Sequence, residues 1–168
     1  MRNVACVVLA AFLVLAPAAL FGQASSGTVG LGISLGLALP QGSTVNIPST
    51  DWVPSFNWGF YVDIPLISTF HITPSSELYQ FGKTNATDID MAFKFIVPVS
   101  SFDIYAGVEP GLSAVGDVLD AHVGLLGGAI FRLVSNLDAF AQMKYTVVFD
   151  GNENLRVIHI NTGILFAF

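Results

Sequence analysis

Cysteine is almost absent from the 168-residue sequence, and charge is scarce. The single cysteine, Cys6, lies near the start of the chain, so no disulfide can form within the remainder. A small exported domain without disulfides needs another source of stability, and a membrane is one such source. Charged residues make up 11% of the sequence, against about 25% in ordinary soluble domains, whereas 53% is hydrophobic.

Basic residues are the scarcer of the two charge types. Six Lys and Arg stand against 12 Asp and Glu, and the basic residues form no cluster. Because binding to phosphates requires clustered Lys and Arg, nucleic acid is not expected as a partner. Long hydrophobic runs are also missing. After the first segment, no apolar run approaches the ~20 residues of a membrane-spanning helix.

The first segment has the features of a secretory signal peptide. Arg2 supplies the positive charge, residues 4–15 form a short apolar run, and Gly22-Gln23-Ala24 is a small-x-small cleavage signal. The run is too short for a membrane span and ends at a processing site. We therefore predict a signal peptide over residues 1–24 and a single mature domain over residues 25–168.

Large apolar residues alternate with small or polar ones throughout the predicted mature chain. In residues 28–39, aliphatic residues occupy every second position, and three glycines stand between them. A period of two predicts β-strands. The same pattern occurs at 56–66, 88–99, 102–109, 137–147 and 158–168. It is less regular at 70–81, where Pro74, Ser75 and Ser76 predict a bulge, and at 121–133, whose glycines leave the facing ambiguous.

Three similar segments suggest how these eight strands are connected. Residues 67–72, 99–104 and 134–139 each place a tight turn between two strands, which predicts an up-and-down meander of hairpins. At the other end, a long polar loop is predicted at 41–55 and shorter loops at 82–87, 116–120 and 150–154. These loops would form an exposed contact surface, in which Lys83 is the clearest cation. The acidic residues of that surface would be Asp51, Asp117, Asp120, Asp150 and Glu153.

Two kinds of barrel can alternate in this way. A soluble lipid-binding barrel has an apolar interior and covers its exterior with charge. The less apolar face of this chain has too little charge for a water-exposed surface, but its small residues suit the narrow lumen of an eight-stranded barrel. We therefore predict an all-β, eight-stranded antiparallel up-and-down transmembrane β-barrel. Its glycines would leave lumen space for Tyr61, Tyr105 and Phe140.

The last strand, VIHINTGILFAF, ends in Phe168 and resembles the C-terminal signature of outer-membrane barrels. Together with the eight strands, it makes the chain similar to the small OmpA/OmpX-type and OmpW-type outer-membrane barrel families. The resemblance implies a bacterial outer-membrane location, contact with outer-membrane lipids, and recognition by the barrel assembly machinery through Phe168. An OmpX-type role would be structural or surface-interactive, with extracellular or host ligands bound through the loops, whereas an OmpW-type role would be passage of small hydrophobic molecules.

Aromatic residues are placed as two interfacial girdles. The periplasmic girdle would contain Phe70, Phe102 and Phe168, and the outer one Phe56, Trp58 and Phe149.

Ionisable residues on the inward face must pair with one another, because unpaired burial in a narrow barrel is costly. We predict a structural salt-bridge network there, with an ion or proton path as the alternative. The inward set is Asp63, Asp90, Lys94, Asp103, Glu109, Asp138 and Lys144 together with the uncharged Gln142, and Arg132 depends on the facing of the sixth strand.

One constellation raises the alternative of a lipid-modifying enzyme. A hairpin centred between Asp117 and Val118 would place Ser113 opposite His122, with Glu109 deeper on the same face. A serine, a histidine and an acid can form a nucleophilic triad. No elbow motif accompanies them, so we predict that these polar residues only fill the lumen. We predict no enzyme and no catalytic, cofactor or metal site. His71 and His159 are likewise interpreted as lumen residues.

Overall fold

The structure is a computed structural model that describes residues 28–41, 53–81, 84–150 and 153–168. The predicted signal peptide, residues 1–24, lies outside these residues. Eight strands are present: β1 (Gly30–Gln41), β2 (Ser55–Ile67), β3 (Phe70–Phe81), β4 (Thr84–Val99), β5 (Phe102–Val115), β6 (Val118–Val134), β7 (Leu137–Asp150) and β8 (Glu153–Ala167). Among the described residues, no helix is long and apolar enough to cross a membrane.

The eight strands form a closed antiparallel barrel. Each strand pairs with its neighbour in sequence, and β1 pairs with β8 from Gly30 opposite Ala167 to Gln41 opposite Arg156. Closure leaves no sheet edge with unpaired backbone groups, which is the condition for a sheet to lie in lipid. The predicted all-β, eight-stranded up-and-down barrel is confirmed.

One end of the barrel carries the three predicted tight turns, and we call it the turn end. The turns are Ser68–Thr69, Ser100–Ser101 and Ser135–Asn136, and Phe168 lies at the same end. Backbone hydrogen bonds tie the turns to neighbouring strands, such as the one that Ile96 N donates to Thr69 O over 2.8 Å. The repeat in the sequence therefore identified these turns correctly.

The opposite end, which we call the loop end, differs from the prediction. Strand pairing continues to Val115 opposite Val118, Phe81 opposite Thr84 and Asp150 opposite Glu153. The loops predicted at 82–87, 116–120 and 150–154 are therefore wrong in length. Each of these connections spans only two residues, and Asp120, Asp150 and Glu153 belong to strands. The predicted loop residues Asp51 and Lys83 lie outside the described residues. Only the connection from β1 to β2, residues 42–54, is long.

The structure settles the geometry of the two strands whose alternation is irregular in the sequence, 70–81 and 121–133. Pro74, Ser75 and Ser76 pair with β4 in unbroken register, so the bulge predicted within 70–81 is wrong. The register with β2 shifts instead between Pro65 and Ile67, beside a tight turn. In β6, His122 and Leu126 are buried in the lumen while Leu125 is exposed on the outside, which settles the facing of 121–133.

The outer surface is apolar around the barrel. The four alternating aliphatics from Leu31 to Leu37 of β1 are 46–54% exposed, as expected for side chains that face lipid. Among the described strand residues, the one charge at an outward position is Arg156, close to the loop end. The predicted aromatic girdles also lie where expected: Phe56, Trp58 and Phe149 near the loop end, and Phe70, Phe102 and Phe168 near the turn end.

Lumen-facing glycines stand where a neighbouring strand places a bulky side chain. A Cβ at Gly128 would meet the ring of Tyr105, and a Cβ at Gly163 would meet the ring of Phe140. The prediction that glycines leave lumen space for bulkier side chains is thus confirmed. The glycines of β1, however, face other side chains than Tyr61, Tyr105 and Phe140. There, Gly30 and Gly32 make room for Leu165, and Gly36 makes room for Asn57 and Asn161.

A charge on the outer face should destabilise the barrel according to its depth. Leu125 and Leu119 lie on the same face of β6 and are 62% and 61% exposed, but Leu119 is next to the loop end. We expect Leu125→Arg to lower the free energy of unfolding in lipid vesicles by about 2–4 kcal/mol, and Leu119→Arg by about 0–1 kcal/mol. Urea unfolding followed by tryptophan fluorescence measures both; equal, small losses would contradict a lipid-facing surface.

Candidate functional site in the barrel interior

The interior is built in three layers. At the loop end, an apolar cluster, which we call the plug, contains Ala38, Tyr79, Ala86, Val148, Leu155 and Val157. Towards the turn end, a second apolar cluster contains Ala92, Ile96, Tyr105 and Leu126. Five charged side chains lie between the two clusters and are buried: Glu77, Asp88, Asp90, Glu109 and Lys144. This middle layer is the candidate functional site.

Lys144 of β7 is the centre of the middle layer. Its ammonium nitrogen, Nζ, lies 2.7 Å from Glu109 Oε1, 3.1 Å from Glu77 Oε2 and 3.2 Å from Asp90 Oδ2. The three carboxylates come from β5, β3 and β4, so a single ammonium connects four strands across the lumen. All four side chains are buried.

Glu77 is further held by donors from β2 and β8. Tyr61 OH donates to Glu77 Oε1, and Asn161 Nδ2 donates to the same oxygen over 2.9 Å. Asn57 Nδ2 donates to Asn161 Oδ1 over 2.8 Å, while His159 Nδ1 lies 3.3 Å from Glu77 Oε2. The network therefore extends around most of the barrel wall.

A separate polar group lies closer to the turn end. His71 Nδ1 is hydrogen-bonded to Asp63 Oδ2 at 2.6 Å, and Thr73 Oγ1 donates to Asp63 Oδ1 over 2.6 Å. Lys94 Nζ lies 5.1 Å from the centre of the Tyr105 ring, within the range of a cation–π contact. A cavity of about 20 Å³ beside these residues has room for about one water molecule.

Most of the predicted inward set lies in the interior. Asp63, Asp90, Lys94, Glu109, Gln142 and Lys144 are buried there. Asp103 and Asp138 are half-buried near the turn end, and the Arg132 side chain is 74% exposed, 4.0 Å from Asp138. Arg132 is at an inward register position, but β6 has reached the mouth of the barrel at that point, so its side chain does not join the network.

The prediction missed Glu77 and gave no pairing role to Asp88, Asn57 or Asn161. Glu77 was obscured by the assumption of a bulge in β3. A strict alternation from Phe70 would have placed it on the inward face, together with His71, Thr73 and Tyr79.

The serine–histidine pair forms with a different register and a different acid. Gly111, not Ser113, is opposite His122, because the turn is centred between Gly116 and Asp117. The two side chains still meet, with Ser113 Oγ 2.8 Å from His122 Nδ1. The acid beside His122 is Asp90, whose Oδ1 lies 2.6 Å from Nε2, whereas Glu109 binds Lys144.

In addition to His122, Ser113 contacts the carboxylate of Asp88. Its hydroxyl lies 2.7 Å from Asp88 Oδ1, which also accepts from Tyr79 OH at 3.1 Å. Ser113, His122, Asp88 and Asp90 are all buried beneath the plug and face the lumen. A lipid substrate contacts the outside of the barrel, so the arrangement has the components of a triad without a route for a substrate.

Negative charge exceeds positive charge in this layer. Glu77, Asp88, Asp90 and Glu109 are four buried carboxylates, and Lys144 is the one lysine among them. With the imidazoles of His122 and His159 neutral, three negative charges are left without a compensating cation. Burial of uncompensated charge costs several kcal/mol per ion, so protons or a bound cation must offset part of this excess.

Comparisons with known proteins identify the fold. No family model matches the sequence, and no curated protein matches it. The structure is similar to Neisserial surface protein A, with a TM-score of 0.71, 15% identity, and coverage of 83% of this chain and 97% of that one. It is also similar to the Yersinia pestis attachment invasion locus protein Ail (TM-score 0.57, 9% identity, coverage 85% and 99%).

A third similar structure is the N-terminal β-barrel domain of Pseudomonas aeruginosa OprF, with a TM-score of 0.53, 10% identity, and coverage of 84% of this chain and 100% of that one. At these identities the similarity shows the fold, which is that of small eight-stranded outer-membrane barrels. The transmembrane barrel fold and the resemblance to small outer-membrane barrels are thereby confirmed.

Lys144 should be far more important for stability than the other buried lysine. Lys144→Met removes the one ammonium from three carboxylates, and we expect a loss of about 3–5 kcal/mol in the free energy of unfolding. Lys94→Met removes contacts with aromatic rings and should cost about 0.5–2 kcal/mol. Urea unfolding in detergent micelles compares the two variants; a larger loss for Lys94→Met would contradict the central position of Lys144.

Proposed function

We propose that the chain is an integral protein of the bacterial outer membrane with a closed lumen and a structural or surface-interaction role. The filled interior carries this proposal. Lys144, Glu109 and His159 are at most 1% exposed in the middle layer, and an apolar cluster lies on either side of them. The apolar outer face supports contact with outer-membrane lipids.

The alternatives have less support. An OmpW-like path for small hydrophobic molecules along the lumen would have to cross the charged middle layer, where an apolar molecule would displace ion pairs and hydrogen bonds. A lipid-modifying enzyme would need Ser113 or His122 exposed at the outer surface, and both are buried in the lumen. We therefore propose a protein without enzymatic activity.

A closed lumen predicts the absence of a stable channel. The purified protein, inserted into planar bilayers, should give no single-channel steps above the protein-free baseline. Insertion is verified on gels, since a folded barrel stays compact in detergent until it is heated and its unboiled band migrates differently. Reproducible conductance steps from correctly inserted protein would contradict the proposal and favour a channel.

The surface-interaction part of the proposal centres on residues 42–54. The other three connections at the loop end span only two residues each, so the contact surface is smaller than the sequence suggested. Residues 42–54 carry one charged residue, Asp51, together with Pro48 and Pro54. An extracellular or host ligand would thus meet a weakly charged segment. At the opposite end, we propose that Phe168 contacts the barrel assembly machinery during insertion.

Cysteine labelling tests this location and orientation. Because Cys6 lies in the predicted signal peptide, engineered cysteines would be the only thiols of the mature chain. We expect a membrane-impermeant maleimide to label Ser49→Cys on intact cells but Ser135→Cys, in a turn at the other end, only after lysis. Labelling of Ser135→Cys alone on intact cells would reverse the orientation, and labelling of neither variant would contradict surface exposure.

A further inference from the structure

We propose that Asp88, Asp90 and His122 bind a divalent transition-metal cation, such as Zn²⁺, inside the barrel. Each residue offers one ligand atom, and these atoms lie within 4.8 Å of one another. Asp88 and Asp90 come from β4, and His122 comes from β6, two strands away. All three side chains are buried, so a cation held there would be protected from solvent.

Two of the ligand atoms converge without a hydrogen bond. Asp90 Oδ1 and His122 Nε2 are 2.6 Å apart, yet neither has a hydrogen-bond partner among the described residues. A cation coordinated by the carboxylate oxygen and by the neutral imidazole nitrogen would give both atoms a partner. Gly111 lies beside both atoms, and a Cβ at this position would contact them, so the glycine keeps the adjacent space clear.

The barrel contains a second histidine–aspartate pair that serves as a contrast. His71 Nδ1 and Asp63 Oδ2 are also 2.6 Å apart, but they form a hydrogen bond of normal geometry. The other oxygen of Asp63 accepts from Thr73 Oγ1. His71 and Asp63 are thus joined by a hydrogen bond, whereas Asp90 Oδ1 and His122 Nε2 are equally close without one.

Charge also favours a cation at this position. The four carboxylates of the middle layer exceed the single ammonium of Lys144, and Asp88 and Asp90 are two of those four. A divalent ion would offset two of the uncompensated negative charges at the place where two carboxylates are adjacent.

The donor set indicates the class of metal. Two carboxylate oxygens and one imidazole nitrogen suit Zn²⁺ or Mn²⁺, whereas copper(I) prefers thiolates and Ca²⁺ prefers oxygen ligands alone. Ser113 Oγ, at 2.8 Å from His122 Nδ1, contacts the ring nitrogen that faces away from Asp90 and fixes the orientation of the ring. Such outer-shell partners are a regular feature of histidine ligands.

The test uses the mature chain without a histidine tag, purified from membranes in detergent. The protein is unfolded, refolded with Zn²⁺, separated from free metal by gel filtration, and analysed for bound metal by mass spectrometry. We expect about one Zn²⁺ per barrel for the wild type, and a decrease of more than about tenfold for His122→Gln and Asp90→Asn. The matched controls His71→Gln and Asp63→Asn should keep the wild-type amount.

Two results would overturn the proposal. One is a refolded wild type, with its normal heat-dependent gel shift, that retains no Zn²⁺; the other is an equal loss of metal in His71→Gln and His122→Gln. If the ligand variants fail to fold, the visible absorption spectrum of Co²⁺ added to the wild type decides instead. Visible absorption bands distinct from those of aqueous Co²⁺ are expected, and an aqueous spectrum would refute the site.

Discussion

The backbone pairing between β1 and β8 is the contact on which the rest of the structure depends. In lipid, a strand with unpaired N–H and C=O groups is too costly, so the sheet must close. Closure with eight strands leaves an interior just wide enough for side chains. Every inward residue must therefore be small, as Gly36 and Gly163 are, or have a partner across the lumen, as Lys144 and Glu109 do.

This narrow interior also helps to set the register of the strands. A slip of one residue would turn every side chain of a strand to the other face. For β7, such a slip would place Lys144 in lipid and Tyr145 in the charged layer. Lys144 contacts carboxylates from three other strands, so its three ion pairs form together only when β3, β4, β5 and β7 are all in the correct register. The polar interior thus adds specificity, while the apolar exterior drives insertion.

Alternation in the sequence was sufficient to predict the faces of most strands, because the side chains of a strand point in opposite directions in turn. It failed where a polar inward residue was close to a strand end or to a proline. Asp120 was thereby assigned to a loop, and Glu77 was missed beside Pro74, Ser75 and Ser76. The partner of His122 could not be predicted either, since Asp90 lies two strands away and the pairing depends on the exact turn at Gly116.

The same geometry restricts where this protein can meet other molecules. Three two-residue connections at the loop end leave little surface beyond residues 42–54, and the plug separates that end from the charged layer. The described part of the loop end therefore offers a soluble partner little surface, whereas lipid can reach the outer wall. The unusual chemistry of Asp88, Asp90 and His122 is accessible to neither. A group enclosed so completely is suited to hold a small cation acquired during folding, rather than to turn over a substrate.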